Sequence, residues 1–308
     1  MASNASNATP LVFPEKTLHG VHWNLRTHSF NPVHSFDPIS QADPMPPLAI
    51  EPLQAAEPAK TEIDLLDVLL VGVAMAVAFV IFGTMAATIF ILSHRSSGLN
   101  PKVLEDALSK NAFFIVPTQF VIYLTIIGFM ALLVWGRHKA SLAEAVHWNL
   151  PLRRRVWAFA LITGTALAFI SDIGEVVLHR WIPDSLPITE FFKDRPSALL
   201  LGAFGILVAP LMEELLFRGF LYPAVARWTG ATASLIITAS AFTLLHGAQL
   251  GYSWAPLLLI FVVGFTLTVT RIRTNSVATC VIVHMTYNFV LLLQTYIATH
   301  GFRQMQGI

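Results

Sequence analysis

Charge is what this sequence has least of. Asp, Glu, Lys and Arg make up only 12% of its 308 residues, while hydrophobic residues make up 55%; soluble globular domains carry roughly 25% charged residues. That is too little polar surface for a water-soluble domain of this size. The expected fold class is all-α, a polytopic membrane helical bundle of about seven transmembrane helices. The 19 Lys and Arg residues nearly balance the 18 Asp and Glu, so there is no basic face for nucleic acid. Phosphate-cradling glycine loops, paired CxxC motifs and the HExxH helix of zinc proteases are absent as well. The single cysteine, Cys280, excludes an intrachain disulfide and a thiolate metal centre, and reads as a small buried hydrophobe. The start of the chain lacks a basic stretch followed by an apolar core, so the first spanning helix is expected to do the targeting.

What is present divides into three parts. Residues 1–62 are rich in Pro, Asn, Ser and His without an apolar period, the composition of a disordered or loosely ordered tail. His19, His22, His28 and His34 are irregularly spaced and read as solvated histidines rather than ligands. The pentapeptide VHWNL occurs at Val21–Leu25 and again at Val146–Leu150, and no mechanism attaches to the repeat. Residues 63–180 hold three accessory spans: Val68 to Leu92, Phe113 to Trp135, and a third from Val156. Each apolar run is long enough to cross a hydrocarbon core of about 30 Å. Arg137, Lys139 and Arg153 to Arg155 form the densest cationic cluster, which marks that loop, and with it the N-terminus, as cytoplasmic. Asp172, Glu175 and His179 share one face of the third helix and are expected to be interfacial and structural.

Residues 197–298 form a four-helix core. Its first helix carries Glu213, Glu214 and Arg218 inside an otherwise apolar run, where each charge costs about 2.5 to 3.5 kcal/mol at a bilayer centre. Glu214 and Arg218, four residues apart, share a helix face and can neutralise each other. Glu213 is turned about 100° away and needs a partner from another helix. A turn at Trp228-Thr229-Gly230 leads into a helix over 231–246, and the antiparallel hairpin sets Glu213 level with His246. The hairpin tip is expected to project past the bilayer core, with Arg218, Tyr222, Arg227 and Trp228 at the interface. Arg271 and Arg273 mark a second cytoplasmic end. The last span carries His284 and Asn288, four apart and on one face.

Glu213, His246, His284 and Asn288 are the residue types that hydrolysis by an activated water requires. Glu213 takes the proton, His246 holds the water, and His284 and Asn288 donate to the developing oxyanion. Glu214, Arg218 and Phe242 support them. A lone intramembrane histidine more often bonds helices together; the joint occurrence of acids and two histidines on separate apolar helices is what points to a site.

These residues resemble three motifs of one family: EExxxR at Glu213, Glu214 and Arg218, FxxxH at Phe242 and His246, and HxxxN at His284 and Asn288. They look like the CPBP family, the CAAX prenyl endopeptidases and bacteriocin-processing proteins, also called Abi. The resemblance covers residues 197–295 and implies a helical intramembrane protease core that hydrolyses peptide bonds, with Glu213 and His246 activating water and His284 and Asn288 at the oxyanion. It implies membrane lipid and a peptide or protein substrate, lipidated or membrane-anchored, as partners, and a bacterial inner membrane as the setting. The metal question stays open at this point: His246, His284 and Glu213 are the three ligands a divalent metal such as zinc would have, and a metal-free, glutamate-activated water is the alternative. Two other readings remain, a proton-coupled transporter using the intramembrane acids and a non-catalytic scaffold or immunity protein with the same fold.

Overall fold

The computed structural model describes residues 62–93, 111–192 and 194–303. The N-terminal tail with its histidines and the first VHWNL copy, and most of the loop between the first two spans, lie outside the described residues. Among those residues the protein is helical, and it is a multi-pass membrane protein by the length and apolarity of its helices.

Helix α1 (Leu65–Ser93) is started by two acids that cap each other. Asp64 accepts from the backbone N–H of Asp67 and Asp67 accepts from that of Asp64, both at 2.9 Å, the reciprocal arrangement of a capping box. Helix α2 (Ala112–His138) begins at Asn111, whose side chain accepts from Phe113, and ends at Lys139 in the left-handed region. Its last residues close onto the start of α1. Arg137 reaches Asp64 at 3.1 Å and also bonds Asp67, while His138 lies 2.9 Å from the other Asp67 oxygen. Asp67, fully buried, is thereby satisfied by a backbone amide, a guanidinium and an imidazole.

A single turn, α3 (Leu142–Ala145), precedes the second VHWNL copy. That copy clips the connecting loop to the far turn of the chain: Val277 donates to the His147 carbonyl at 3.2 Å, and Asn149 exchanges bonds with Ser276 and Asn275. Val146 is fully buried and sits where a Cβ on Gly219 would come within 3.0 Å of it. Helix α4 (Arg154–Leu178) follows, then short 3-10 turns at His179–Trp181 and Pro187–Phe191.

The helical run Arg195–Leu245 spans 51 residues, about 76 Å at 1.5 Å per residue, more than twice a bilayer core. It cannot cross once. It is built of α5 (Arg195–Leu207), a short α6 (Ala209–Glu214), a π-turn (Leu215–Leu221) and α7 (Tyr222–Leu245). Within α7, Gly230 has φ 77° and ψ 168°, a conformation open to glycine and strained for any other residue. The chain doubles back there: Phe217 and Phe242, nearly equidistant from Gly230 in sequence, meet edge to face at 5.2 Å. The six apolar helical runs therefore give the seven spanning arms that the sequence predicts. Helices α8 (Trp254–Thr274) and α9 (Val277–Ala298) complete the bundle.

Arg227, at the hairpin tip, pairs with Glu62 at 2.5 Å, so the tip lies at the same end as the α1 start and the cationic 137–155 loop. At the other end, Ile188 donates to the Gln249 carbonyl, joining the 179–192 and 247–253 loops. Two apolar clusters lie inside, one around α1 and α2 with Leu215 and Phe220, the other around α4, α8 and α9 with Phe217 and Phe242. The π-turn contributes to both. Asp172 is used in packing, accepting from Gln294 at 2.7 Å, while Glu175 and His179 are exposed.

The helix-start cluster has a measurable signature. Burial alone would raise the Asp64 carboxyl, but the bonds from Arg137 and the Asp67 amide pull it down to about 2. A carboxyl depressed in the folded state stabilises above its unfolded value of about 3.9, and that contribution is lost as pH falls through the folded value. Asp64→Asn, which keeps the cap but not the charge, should lower the melting midpoint in detergent at pH 7, and the gap from wild type should close between about pH 4 and pH 2.

Candidate active site

Glu214 has no solvent exposure. Its Oε1 accepts from Arg218 Nη1 at 2.9 Å and faces His284 Nδ1 at 2.8 Å, so α6, the π-turn and α9 are tied at one oxygen atom. Arg218, also fully buried, donates from Nη2 to the Gly264 carbonyl of α8 at 2.7 Å and lays its guanidinium 4.7 Å above the Phe242 ring. Arg218 thus does not join the interfacial residues of the hairpin tip, as the sequence led us to expect. It is an interior clamp, and the apolar run around it is the lining of that interior.

Phe242 is the apolar hub. Besides Arg218 and Phe217, its ring meets His246 at 4.7 Å and His284 at 5.9 Å. Its packing role is larger than shaping one wall, because it spaces both histidines.

The histidine tautomers follow from their partners. His246 Nδ1 lies 2.8 Å from the Phe242 carbonyl, which can only accept, so Nδ1 carries the hydrogen and Nε2 is left for chemistry. His284 Nδ1 faces the Glu214 carboxylate and likewise donates, an imidazole oriented by a carboxylate behind it. Its Nε2 faces Glu213 Oε2 at 3.8 Å, beyond hydrogen-bond length; catalytic contacts in a substrate-free site are often this loose.

Glu213 is only partly buried and makes no hydrogen bond within the protein among the described residues. The imidazole within 4 Å of it is that of His284 rather than that of His246. The hairpin does set Glu213 and His246 on opposite arms, yet His246 is drawn onto the Phe242 ring. Asn288, one turn beyond His284 on α9, donates from Nδ2 to the Gly205 carbonyl at 2.6 Å. Only one of its two N–H bonds is used there. Beside it lies an apolar cavity of about 360 Å³ between α5, α9 and the 187–191 turn.

Among the described residues no three His, Cys, Asp or Glu side chains are grouped to hold a metal ion. Each site histidine spends Nδ1 on a protein acceptor, as metal-bound histidines also do, so the test is whether the Nε2 atoms and carboxylates converge, and among the described residues they are not grouped as three ligands. No step is derived through a metal.

Arg271, which sequence reasoning used only as a mark of the cytoplasmic end, is also a site-supporting residue. It is buried, and its Nε donates to the Arg218 carbonyl at 3.2 Å. Its role becomes legible only once the register of the turn is known. In the π register, where Tyr222 bonds to Phe217, the partner of the Arg218 carbonyl is residue 223, a proline without an N–H. That carbonyl must find a donor elsewhere.

The constellation of Glu213, Glu214, Arg218, Phe242, His246, His284 and Asn288 lies within one stretch of chain that family comparison identifies. Residues 195–290 match the Rce1-like family of type II CAAX prenyl endopeptidases. The Rce1-like segment starts at the first residue of α5 and ends just past Asn288, so it holds every residue of the constellation. No curated protein and no solved structure matches the chain. At family level the Rce1-like match supports a membrane protease of the CAAX type acting on peptides or proteins.

The Glu214–Arg218 pair makes a sharp prediction. Arg218→Met leaves a buried carboxylate short of its cation and should cost about 3 to 5 kcal/mol in unfolding free energy in detergent. The double variant Glu214→Gln with Arg218→Met should recover most of that loss, as measured by a double-mutant cycle.

Proposed function

We propose that this protein is an intramembrane endopeptidase that hydrolyses a peptide bond of a membrane-associated peptide or protein with a metal-free, glutamate-activated water. The observation that carries this reading is the division of labour between adjacent acids. Glu214 is buried and held by Arg218 and His284, whereas Glu213 is partly exposed and free of fixed bonds. A general base has to gain and lose a proton at each turnover. Glu213 is the acid whose proton can change without breaking a buried network.

In this mechanism the attacking water lies between the Glu213 carboxylate and His246 Nε2. Glu213 takes the water proton as the oxygen adds to the carbonyl carbon. His284, oriented by Glu214 through Nδ1, donates from Nε2 to the oxyanion together with the second N–H of Asn288. The proton taken by Glu213 then passes to the leaving nitrogen as the C–N bond breaks, and the carboxylate is restored. The catalytic core is residues 197–298, with the spans of 63–180 as accessory helices. The setting is a cell membrane, a bacterial inner membrane, with the N-terminus and the cationic 137–155 end cytoplasmic. Asp172 is engaged by Gln294, and Glu175 and His179 lie on the outside of α4, so these acids do not extend the site into a proton relay.

The test is cleavage of membrane-protein reporters by purified protein, read by mass spectrometry. Glu213→Gln should abolish turnover while the melting midpoint holds, because Glu213 makes no structural bond. Asn288→Ala should lower kcat by roughly 10²- to 10³-fold, as loss of one oxyanion donor commonly does, and chelator should leave the wild-type rate intact. Wild-type turnover by Glu213→Gln would refute the mechanism.

A further inference from the structure

The cavity beside Asn288 is roofed by Ile188, Thr189 and Phe192 and walled by α5 and α9. Its volume of about 360 Å³ is more than twice the roughly 150 Å³ of an apolar cavity that admits benzene. Most of its polar hydrogens are already committed, the second N–H of Asn288 excepted. The Thr189 hydroxyl donates to the Leu186 carbonyl at 2.7 Å, the Thr295 hydroxyl to Leu291 at 2.9 Å, and Asn288 Nδ2 to Gly205. No charged group lines it. An occupant finds apolar contact there and little else.

Two glycines of α5 face this region for different reasons. A Cβ on Gly202 would lie 2.5 Å from Leu292 Cδ2, so this glycine lets α9 approach. A Cβ on Gly205 would have nothing within 4 Å. Gly205 sits inside a helix, where glycine weakens the structure relative to alanine, and its missing side chain serves no packing. It keeps the cavity open at the point where its own carbonyl holds Asn288.

We propose that this cavity is the specificity subsite of the protease, that it takes one or two bulky apolar side chains next to the scissile bond of an unmodified membrane peptide, and that Gly205 sets its depth. This rests on the endopeptidase reading. Asn288, four residues beyond His284 on the same helix, belongs both to the reacting centre and to the cavity wall. With about 3.3 Å per residue in an extended chain, a group seated in the cavity lies within a residue or two of the carbonyl that Asn288 faces. The substrate's own side chains satisfy that distance without any attached lipid.

The experiment uses the full chain in lipid nanodiscs with the Glu213→Gln substitution. The probe is an unmodified apolar 12-residue peptide carrying benzoylphenylalanine, alongside the same peptide bearing S-farnesylcysteine. The expected result is photolabelling by the unmodified peptide at residues 188–206 and 288–295, reduced at least tenfold by Gly205→Phe and less by Gly205→Ala, with a melting midpoint for Gly205→Ala at or above that of its parent. In a chain with Glu213 intact, Gly205→Phe should also lower the Leu-to-Ala selectivity of cleavage at the residues flanking the cut by about tenfold. Labelling by the farnesylated peptide alone, or labelling and selectivity indifferent to Gly205, overturns the proposal. Failure of the two readings is separable. If Glu213→Gln abolishes cleavage while Gly205 variants change nothing, only the subsite is wrong. If Glu213→Gln cleaves normally while Gly205→Phe blocks labelling, the cavity binds peptide and the protease mechanism is wrong.

Discussion

A carboxylate with no solvent contact in a membrane interior is the constraint on which the rest of this structure depends. Glu214 can remain charged only if its desolvation is offset by close donors, and the fold supplies two at one oxygen, Arg218 and His284. The guanidinium that neutralises it is itself buried and must be held, which brings in the Gly264 carbonyl and the Phe242 face. Four helical segments are thereby set in register by one charge. A small shift of α9 along its axis would break the His284 bond, and a shift of α8 would leave the guanidinium short of an acceptor. The same contacts that stabilise the acid therefore also fix the imidazole that faces Glu213.

The π-turn is the local device that makes this possible. A widened turn leaves backbone groups outside the usual ladder, and in this register the Arg218 carbonyl is one of them. Pro223 removes the donor that would have taken the Arg218 carbonyl, and the buried Arg271 substitutes for it from α8. Arg271 in turn bonds the side chain of Asn275 at the α8–α9 turn, where the second VHWNL copy is also fastened. The cationic end of the bundle is thus continuous, through hydrogen bonds, with the clamp on Glu214.

The spans were legible in the sequence because a membrane-crossing helix announces itself by composition and length. The hairpin was legible too, since Gly230 follows a run too long for one crossing. Side-chain geometry was harder. The pairing of Glu214 with Arg218 follows from helical spacing, but the bond from His284 to the same carboxylate joins residues far apart in sequence, and no local period encodes it. Equal separation from the turn put Glu213 level with His246, yet level is not adjacent: an aromatic ring, Phe242, draws His246 to itself, and the imidazole within 4 Å of Glu213 is that of His284. Arg218 was expected among the interfacial residues because a cation near a helix end is ordinarily interfacial, and a buried carboxylate draws it inside. Arg271 keeps its place at the cationic end, and its bond to the Arg218 carbonyl, between residues far apart in sequence, has no local signal.

The adjacency of the two acids carries a further consequence. Neighbouring residues on a helix point about 100° apart, so one can face the packed interior while the other faces a cavity without any special backbone. A site that needs a fixed charge to orient an imidazole and a free charge to move protons can obtain both from two consecutive glutamates. Here Glu214 has no solvent contact and two fixed donors, while Glu213 keeps partial exposure and no hydrogen bond among the described residues. The dry and the open acid are complementary halves of one arrangement, and the Glu-Glu pair is the shortest sequence that can encode it.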